Sequence, residues 1–522
     1  MEVPFKLELI ALATIAIKLG VSLFPYSGKN KPPMFGDYEA QRHWMEITVN
    51  LPIKEWYRNT TDNDLLYWGL DYPPLTAYHS YIAGAVAKLC NLAFVKLHDS
   101  RGYESHSHQF FMRMSVLVSD VVFFISALYY YIKHSKLDSK YQWVFFALCS
   151  HPGLTLIDYG HFQYNCVSLG LALWSIAFIS QRKFVLASVA FSAALNFKQM
   201  ELYHALPIFF YLLAMCEGQK GIFRKLFTLV KIGTATLTTF ALIWYPFLDV
   251  SDGLLQQVVA RIFPFNRGIF EDYVANFWCT LNVVVKIRQF MDIASLARLC
   301  LLVTAAFSLP CGLHLYFKAN LRNLLVSMVN ISLSFFLFSY HVHEKSILLV
   351  ALPVSLASPY EPLTCFWFLC IAHFSMLPLY FKDELVVPCL SLFLLYLILA
   401  YNSLKIDLNR WMTLSLAGSV AGCVVLAGLF LGLPPPAVYP HLWTLLISVW
   451  SFGHFSAFLA YFLYVQFWSS AQFILFIHLF YLICLGSHYL QEVDDLSDGC
   501  GLKISALIVS PQFEGKPLLQ RH

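Results

Sequence analysis

Charge is scarce in this chain. Only 13% of its 522 residues are Asp, Glu, Lys or Arg, about half the quarter that an ordinary globular protein carries, which excludes a protein with a conventional water-facing surface. Basic runs are missing as well. With no Lys/Arg block and a net charge of +4, nothing suggests a nucleic-acid partner. The 13 cysteines form neither a CxxC pair nor a Cys/His cluster, so no zinc site or disulfide framework is indicated and most read as small membrane-buried hydrophobes. Gly-rich phosphate loops, Walker patterns and nucleophile elbows are absent too. A mechanism driven by ATP or a nucleotide sugar has no support.

Apolar residues are plentiful instead: 58% hydrophobic and 17% aromatic, with a mean hydropathy of +0.61. Cores of normal size cannot hide that much apolar surface, so lipid is the solvent for most of the chain. Windows of about 20 apolar residues, the length of a membrane-crossing helix, recur about fourteen times, from 5–24 to 473–490. The first reads as a membrane helix and not a cleaved signal, because Lys18 interrupts it and no small-residue cleavage pattern follows. Windows 184–195 and 346–357 are shorter than a full span.

The connections alternate between two kinds. Short basic ones (Lys133, Lys136 and Lys140; Arg182 and Lys183; Lys220, Arg224 and Lys225; Lys318 and Arg322) face the cytosol by the positive-inside bias. The others are rich in His, acids, amides and aromatics: 25–108, 158–165, 196–204, 249–288 and 341–345. These five fall on the opposite face, where they can converge on one site. Asn59-Thr60-Thr61, a glycosylation sequon in the first of them, agrees with that orientation. Lys382-Asp-Glu-Leu385 spells a retention signal but is internal, and such signals are read only at a C-terminus.

Residues 35–44 place Asp37, Glu39, Arg42 and His43 just beyond the first span. One reading is a site in which only one of the two acids faces a given substrate atom. The other is an amphipathic helix lying on the membrane, with Asp37 at its N-terminus and Arg42 and Glu46 solvated. Residues 67–78 combine Trp68 and Tyr72 with the single acid Asp71 and two prolines, a composition that suits stacking on sugar rings and equally an interfacial aromatic belt. His161, Gln163 and Asn165 lie at a span end, as do His343, Glu344 and Lys345. Clustered ionisable groups there favour function over simple snorkelling, and Lys345 and His343 suit an anion. Arg261, Arg267, Glu271 and Asp272 suit either phosphate binding or an ion-paired interfacial helix. Lys198, Glu201 and His204 are site residues or a polar span end.

These elements together (Pro25 to Lys29, Gly36 to Trp44, Trp68 to Tyr78, Ser100 to Ser105, His161 to Asn165, Phe270 to Asp272, Asn276 to Trp278 and His343 to Lys345) resemble the endoplasmic-reticulum dolichyl-phosphate-glucose glucosyltransferases, over about residues 5–480. Segments 36–43, 198–204 and 268–272 favour transfer of the first glucose to the lipid-linked oligosaccharide over transfer of the second. A lipid-oligosaccharide transporter is the other class considered, disfavoured because the polar residues sit at span ends and not along a midplane path.

The resemblance implies an all-α polytopic GT-C membrane fold with an active site on the lumenal side of the endoplasmic-reticulum membrane. It implies long lumenal loops near 25–108 and 249–290 carrying amphipathic helices, a catalytic module over 1–380 and additional membrane helices over 381–490. The chain departs from the resemblance at its end: where a short lysine-rich cytosolic end is expected, residues 491–522 read as a disordered tail. Its reaction inverts the donor's β linkage, which needs one general base and no covalent intermediate. The base falls on Asp37, with Asp71 as a possible second acid. Glu39, Arg42, His43, Trp68, Tyr72, His161, Gln163, Lys198, Glu201, Arg267, Glu271, Asp272, His343, Glu344 and Lys345 are expected to bind substrate, with Lys345, His343 and Arg267 toward the donor phosphate. The partners are the dolichol-linked donor, the dolichol-linked oligosaccharide acceptor and membrane lipid. Neither a cofactor nor a metal is expected, since a singly esterified lipid phosphate carries less charge than a nucleotide pyrophosphate.

Overall fold

The computed structural model describes residues 3–135, 139–248, 253–263, 273–403 and 409–468; the window at 473–490 and the tail at 491–522 lie outside the described residues. Among those residues the structure is helical and contains no strand. Seven helices are long and apolar enough to cross a membrane: His106–His134, Ile222–Phe247, Ile293–Phe317, Leu321–Phe338, Pro362–Lys382, Arg410–Gly432 and Leu442–Phe467. Asn165–Ser180, Phe184–Phe197 and Val386–Ala400 are apolar but shorter. The first apolar window forms Val3–Val21.

The short windows have a physical explanation. Ile347–Ala357 has 11 residues, all of them buried, and rises only about 16 Å. Its apolarity reflects neighbours on every side, not a lipid crossing. At the opposite extreme, only 6% of the Ile222–Phe247 and Arg410–Gly432 windows is buried within the protein, so those helices stand at the perimeter and face lipid. One continuous core runs from Leu7 to Phe467. The C-terminal helix Leu442–Phe467 joins it through Gln466, whose Oε1 accepts from Asn330 Nδ2 at 2.7 Å.

The first long connection folds onto one end of the bundle. It contributes α1 (Gly36–Asn50) and α2 (Pro74–Cys90), which pack closely because Gly84 lacks a side chain: a Cβ there would lie 2.6 Å from the Met45 carbonyl oxygen. The surface-lying helix with solvated Arg42 and Glu46 is not what forms. Residues Tyr38 to Thr48 are buried without interruption, and both charges are fully enclosed. The reason is that α1 lies beneath the rest of its own loop, where its acids and arginine neutralise one another instead of reaching water.

Candidate active site

Two turns meet at this end of the bundle. Gly36 begins α1 with a left-handed φ of 65°, and a Cβ there would lie 2.6 Å from the Ser27 carbonyl oxygen, so only glycine permits this approach. The Ser27 amide in turn donates to the His161 carbonyl at 3.0 Å, joining the two turns. His161 lies in a helical turn, Leu156–Phe162, that ends at Phe162 with φ 86°. Such a backbone is costly for an aromatic residue and persists only where surroundings impose it. Here the buried Arg113 guanidinium supplies that restraint. It donates to the carbonyls of Tyr159 and Gly160, the latter at 3.1 Å, and to Phe24 at 3.2 Å. Just beyond, Asp158 accepts from the Asn165 and Cys166 amides at 3.2 and 2.7 Å, holding the start of α3 (Asn165–Ser180) with a charge that suits a helix N-terminus.

Asp37 is the centre of what these turns assemble. A single carboxylate oxygen, Oδ2, accepts from Gln163 Nε2 at 2.5 Å and from Lys345 Nζ at 2.8 Å, and faces His161 Nε2 at 2.9 Å. The other imidazole nitrogen, Nδ1, is 2.5 Å from Asp383 Oδ2, and its proton donates to that carboxylate. Lys345 Nζ also lies 3.1 Å from His161 Nε2. The result is a chain Asp383–His161–Asp37 with Lys345 across its junction. Asp37 keeps a quarter of its side chain exposed whereas His161 and Asp383 are enclosed, so the carboxylate alone of the three faces outward.

A cleft beside it is lined by Gln41, Tyr72, Thr76, Gln163, Asn165 and Lys198. Lys198 Nζ donates to Asn165 Oδ1 at 2.6 Å and stands 5.2 Å from the centre of the Tyr72 ring, a cation on an aromatic face. Burial by itself would raise the Asp37 pKa, but the Lys345 ammonium and His161 hold it well below the usual carboxylate range. Lys198 moves in its own sense: burial, with Lys345 adding repulsion, pushes it down to about 8. Burial would also lower the Lys345 pKa, yet Asp37 and Glu344 keep it above the ordinary lysine value. Asp37 is therefore ionised and paired with a charged Lys345, and Lys198 beside them is a second amine whose proton is held less tightly than an ordinary lysine's.

The other expected residues divide. Glu39, Arg42 and His43 point away from Asp37 into an enclosed cluster. Arg42 donates to both Glu39 oxygens at 2.7 and 2.6 Å and to Ser100 Oγ at 2.5 Å, and pairs with Glu46 at 2.7 Å. His43 pairs with Glu46 at 3.3 Å, and Tyr67 caps Glu39 at 2.9 Å. These side chains bind one another. Glu201 is likewise enclosed, 2.7 Å from His204 Nδ1. Trp68 donates to the Met34 carbonyl at 2.5 Å and accepts from Trp44 at 2.8 Å, closing the loop over α1. Asp71 receives Gln199 Nε2 on its carbonyl at 3.3 Å, at the edge of the cleft. His343 and Glu344 precede Lys345, His343 just before and Glu344 at the start of the turn Glu344–Ser346. Arg267, Glu271 and Asp272 lie outside the described residues. Among those described, no group of three or more His, Cys, Asp or Glu side chains is disposed to hold a metal ion. Asp383 is the residue that sequence reasoning passed over. Its one signal was an acid between two apolar helices at a span end, masked by the retention-like tetrapeptide.

A bundle of membrane helices of the GT-C kind, with a carboxylate held among cations at one end, defines a polytopic membrane glycosyltransferase. The chain belongs to the ALG6, ALG8 glycosyltransferase family, whose model matches residues 12–461. It is 44% identical over 501 residues to the Dolichyl pyrophosphate Man9GlcNAc2 alpha-1,3-glucosyltransferase of Gallus gallus, covering 90% of this chain and 98% of that one. It is also 44% identical over 455 residues to the probable enzyme of the same name from Drosophila melanogaster, covering 86% and 95%. With the Arabidopsis thaliana probable enzyme it shares 40% identity over 483 residues, 89% and 90% of the two chains.

Proposed function

We propose that this chain is an inverting α-1,3-glucosyltransferase that moves glucose from dolichyl phosphate glucose to dolichyl pyrophosphate Man9GlcNAc2, at the lumenal face of the endoplasmic-reticulum membrane. The observation that carries the reading is the convergence on Asp37 Oδ2 of three side chains, His161, Gln163 and Lys345, from two distant segments. Asp37 takes the proton of the acceptor 3-hydroxyl as that oxygen attacks the anomeric carbon. The bond from that carbon to phosphate oxygen breaks, and the electron pair leaves with dolichyl phosphate, already ionised and in need of no acid.

Lys345 serves both anions in turn. Paired with Asp37 at 2.8 Å, it weakens that carboxylate as a base. A donor phosphate draws the ammonium away, the Asp37 pKa rises, and the base strengthens when a leaving group is present. Lys198 supplies further positive charge to the phosphate and His343 a hydrogen-bonding imidazole, Gln163 and His161 orient Asp37, and Tyr72 with Trp68 offers aromatic surface to a sugar ring.

The test is mass analysis of lipid-linked glycans made by the purified chain from dolichyl phosphate glucose and two acceptors, with and without one glucose already in place. One added hexose on the unglucosylated acceptor is expected. Addition only to the monoglucosylated acceptor would assign the second-glucose reaction, and movement of lipid without chemical change would replace the enzyme with a transporter.

A further inference from the structure

The far end of the bundle holds a cavity lined by cations. Helix α3 begins at Asn165 beside Asp37 and ends at Ser180, so its 16 residues carry the chain about 24 Å away from the candidate active site. There a cavity of about 590 Å³ opens between the turn at Arg182 and Lys183, the start of Phe184–Phe197, and the first turns of Ile222–Trp244. Four cations line it, Arg182, Lys183, Arg224 and Lys231, together with apolar groups such as Phe184 and Phe227, and no Asp or Glu.

The spacing concentrates this charge. Arg224 and Lys231 are seven apart, two helical turns, and share a face with Phe227 and Thr228 between them. The other basic residues of the segment behave differently: Lys225 pairs with Glu217, and neither it nor Lys220 lines the cavity. Orienting the chain in a membrane needs only the number of positive charges near the span end. It does not need four of them to face one hollow. Lys231 is the more telling member. It lies about 13 Å along the helix axis from Ile222, on a helix whose apolar window is only 6% buried in protein and which therefore borders lipid. A lysine at that depth is costly without a counter-charge, and its ammonium rests 4.9 Å from the Phe227 ring centre, facing the same hollow.

We infer that this cavity binds the headgroup of an anionic phospholipid, its phosphate oxygens among Arg224, Arg182 and Lys231 and its acyl chains along the lipid-facing side of Ile222–Trp244. A water-soluble anion would satisfy the cations but leave the apolar lining uncovered. A two-chain lipid satisfies both at once.

The experiment is native mass spectrometry of the purified full-length chain in detergent, titrated with phosphatidylinositol and with phosphatidylcholine. Wild type retains phosphatidylinositol preferentially. Arg224→Gln with Lys231→Gln loses about fivefold in apparent affinity for each cation removed, while keeping its glucosyltransfer activity as the check on folding. The charge-matched control, Lys220→Gln with Lys225→Gln, keeps the preference. Equal retention of the two lipids, an undiminished preference in the first double variant, or an equal loss in the control would overturn the assignment. So would displacement of the lipid by millimolar inorganic phosphate, which would show that the cations read a free anion instead.

Discussion

His161 Nδ1 and Asp383 Oδ2, 222 residues apart in the chain, stand 2.5 Å from each other and thereby fix the nitrogen that faces Asp37. An imidazole whose Nδ1 proton is held by a buried carboxylate presents Nε2 in one direction and is stabilised when it carries charge. Asp383 is enclosed beside His161, so its expected role is to position that imidazole.

Asp383→Asn is expected to reduce the maximal rate about tenfold to hundredfold, the cost of a misplaced group near the reacting centre, with little change in the KM for either lipid substrate. Asp383→Glu recovers part of the loss. Parallel increases in KM, or an equal fall in thermal stability without a rate effect in the folded fraction, would reduce Asp383 to a structural contact.

Asp37→Asn leaves the hydrogen bonds of the turn largely in place and removes the base. Transfer falls by about 10²-fold to 10⁴-fold, the range for loss of general-base catalysis. Retained transfer by a folded Asp37→Asn chain would assign the base elsewhere, and mass analysis of the glycan product reads the outcome directly.

Lys345→Met tests the exchange of one cation between two anions. In wild type the Asp37 carboxyl titrates well below the usual carboxylate range, so the rate of donor-limited transfer stays flat as pH falls toward 5. Without Lys345 the carboxyl pKa rises, and the acid side of the pH–rate profile moves upward with it. An unmoved acid limb would separate Lys345 from Asp37 in function.

Lys198 predicts the alkaline side. Its folded pKa of about 8 lies below the 10.5 of an ordinary lysine, so the unfolded chain binds the proton more tightly. Between those values the Lys198 contribution to stability rises with pH, while the positive charge in the cleft, and with it transfer, falls as pH passes about 8. The two opposite trends distinguish loss of the ammonium from unfolding. Lys198→Met removes the alkaline decline, and thermal midpoints measured across the same range supply the comparison.

Arg42→Met behaves unlike any of these. It strands Glu39 and Glu46, both enclosed, and breaking one partner of a buried ion pair costs about 3–5 kcal/mol. The thermal midpoint falls sharply, whereas the folded fraction at low temperature keeps its KM values. A raised acceptor KM with unchanged stability would return Arg42 to the binding surface.

Much of this molecule was legible residue by residue. Apolar runs marked a membrane protein built of helices, because in lipid the backbone satisfies its hydrogen bonds within each helix, but where about fourteen crossings were expected, seven helices among the described residues are long and apolar enough to cross. Alternation of basic and chemically mixed connections located one rich face, and Asp37, His161, Gln163, Lys198 and Lys345 meet there, brought from segments up to 308 residues apart. Local pattern could not tell Glu39 and Arg42 from Asp37, since all three lie on one short helix. What separates them is which side the rest of the loop covers. Asp383 escaped for the complementary reason: a lone acid acquires meaning only from the partner that packing brings to it. The run 346–357 read as a window shorter than a full span, and only the fully surrounded position of Ile347–Ala357 made it core. Composition and periodicity thus determined the solvent, the helical class and the face on which the chemically mixed connections gather. Tertiary packing decided which charges neutralise each other and which carboxylate stays within reach of substrate, because both depend on contacts between segments that sequence distance does not encode.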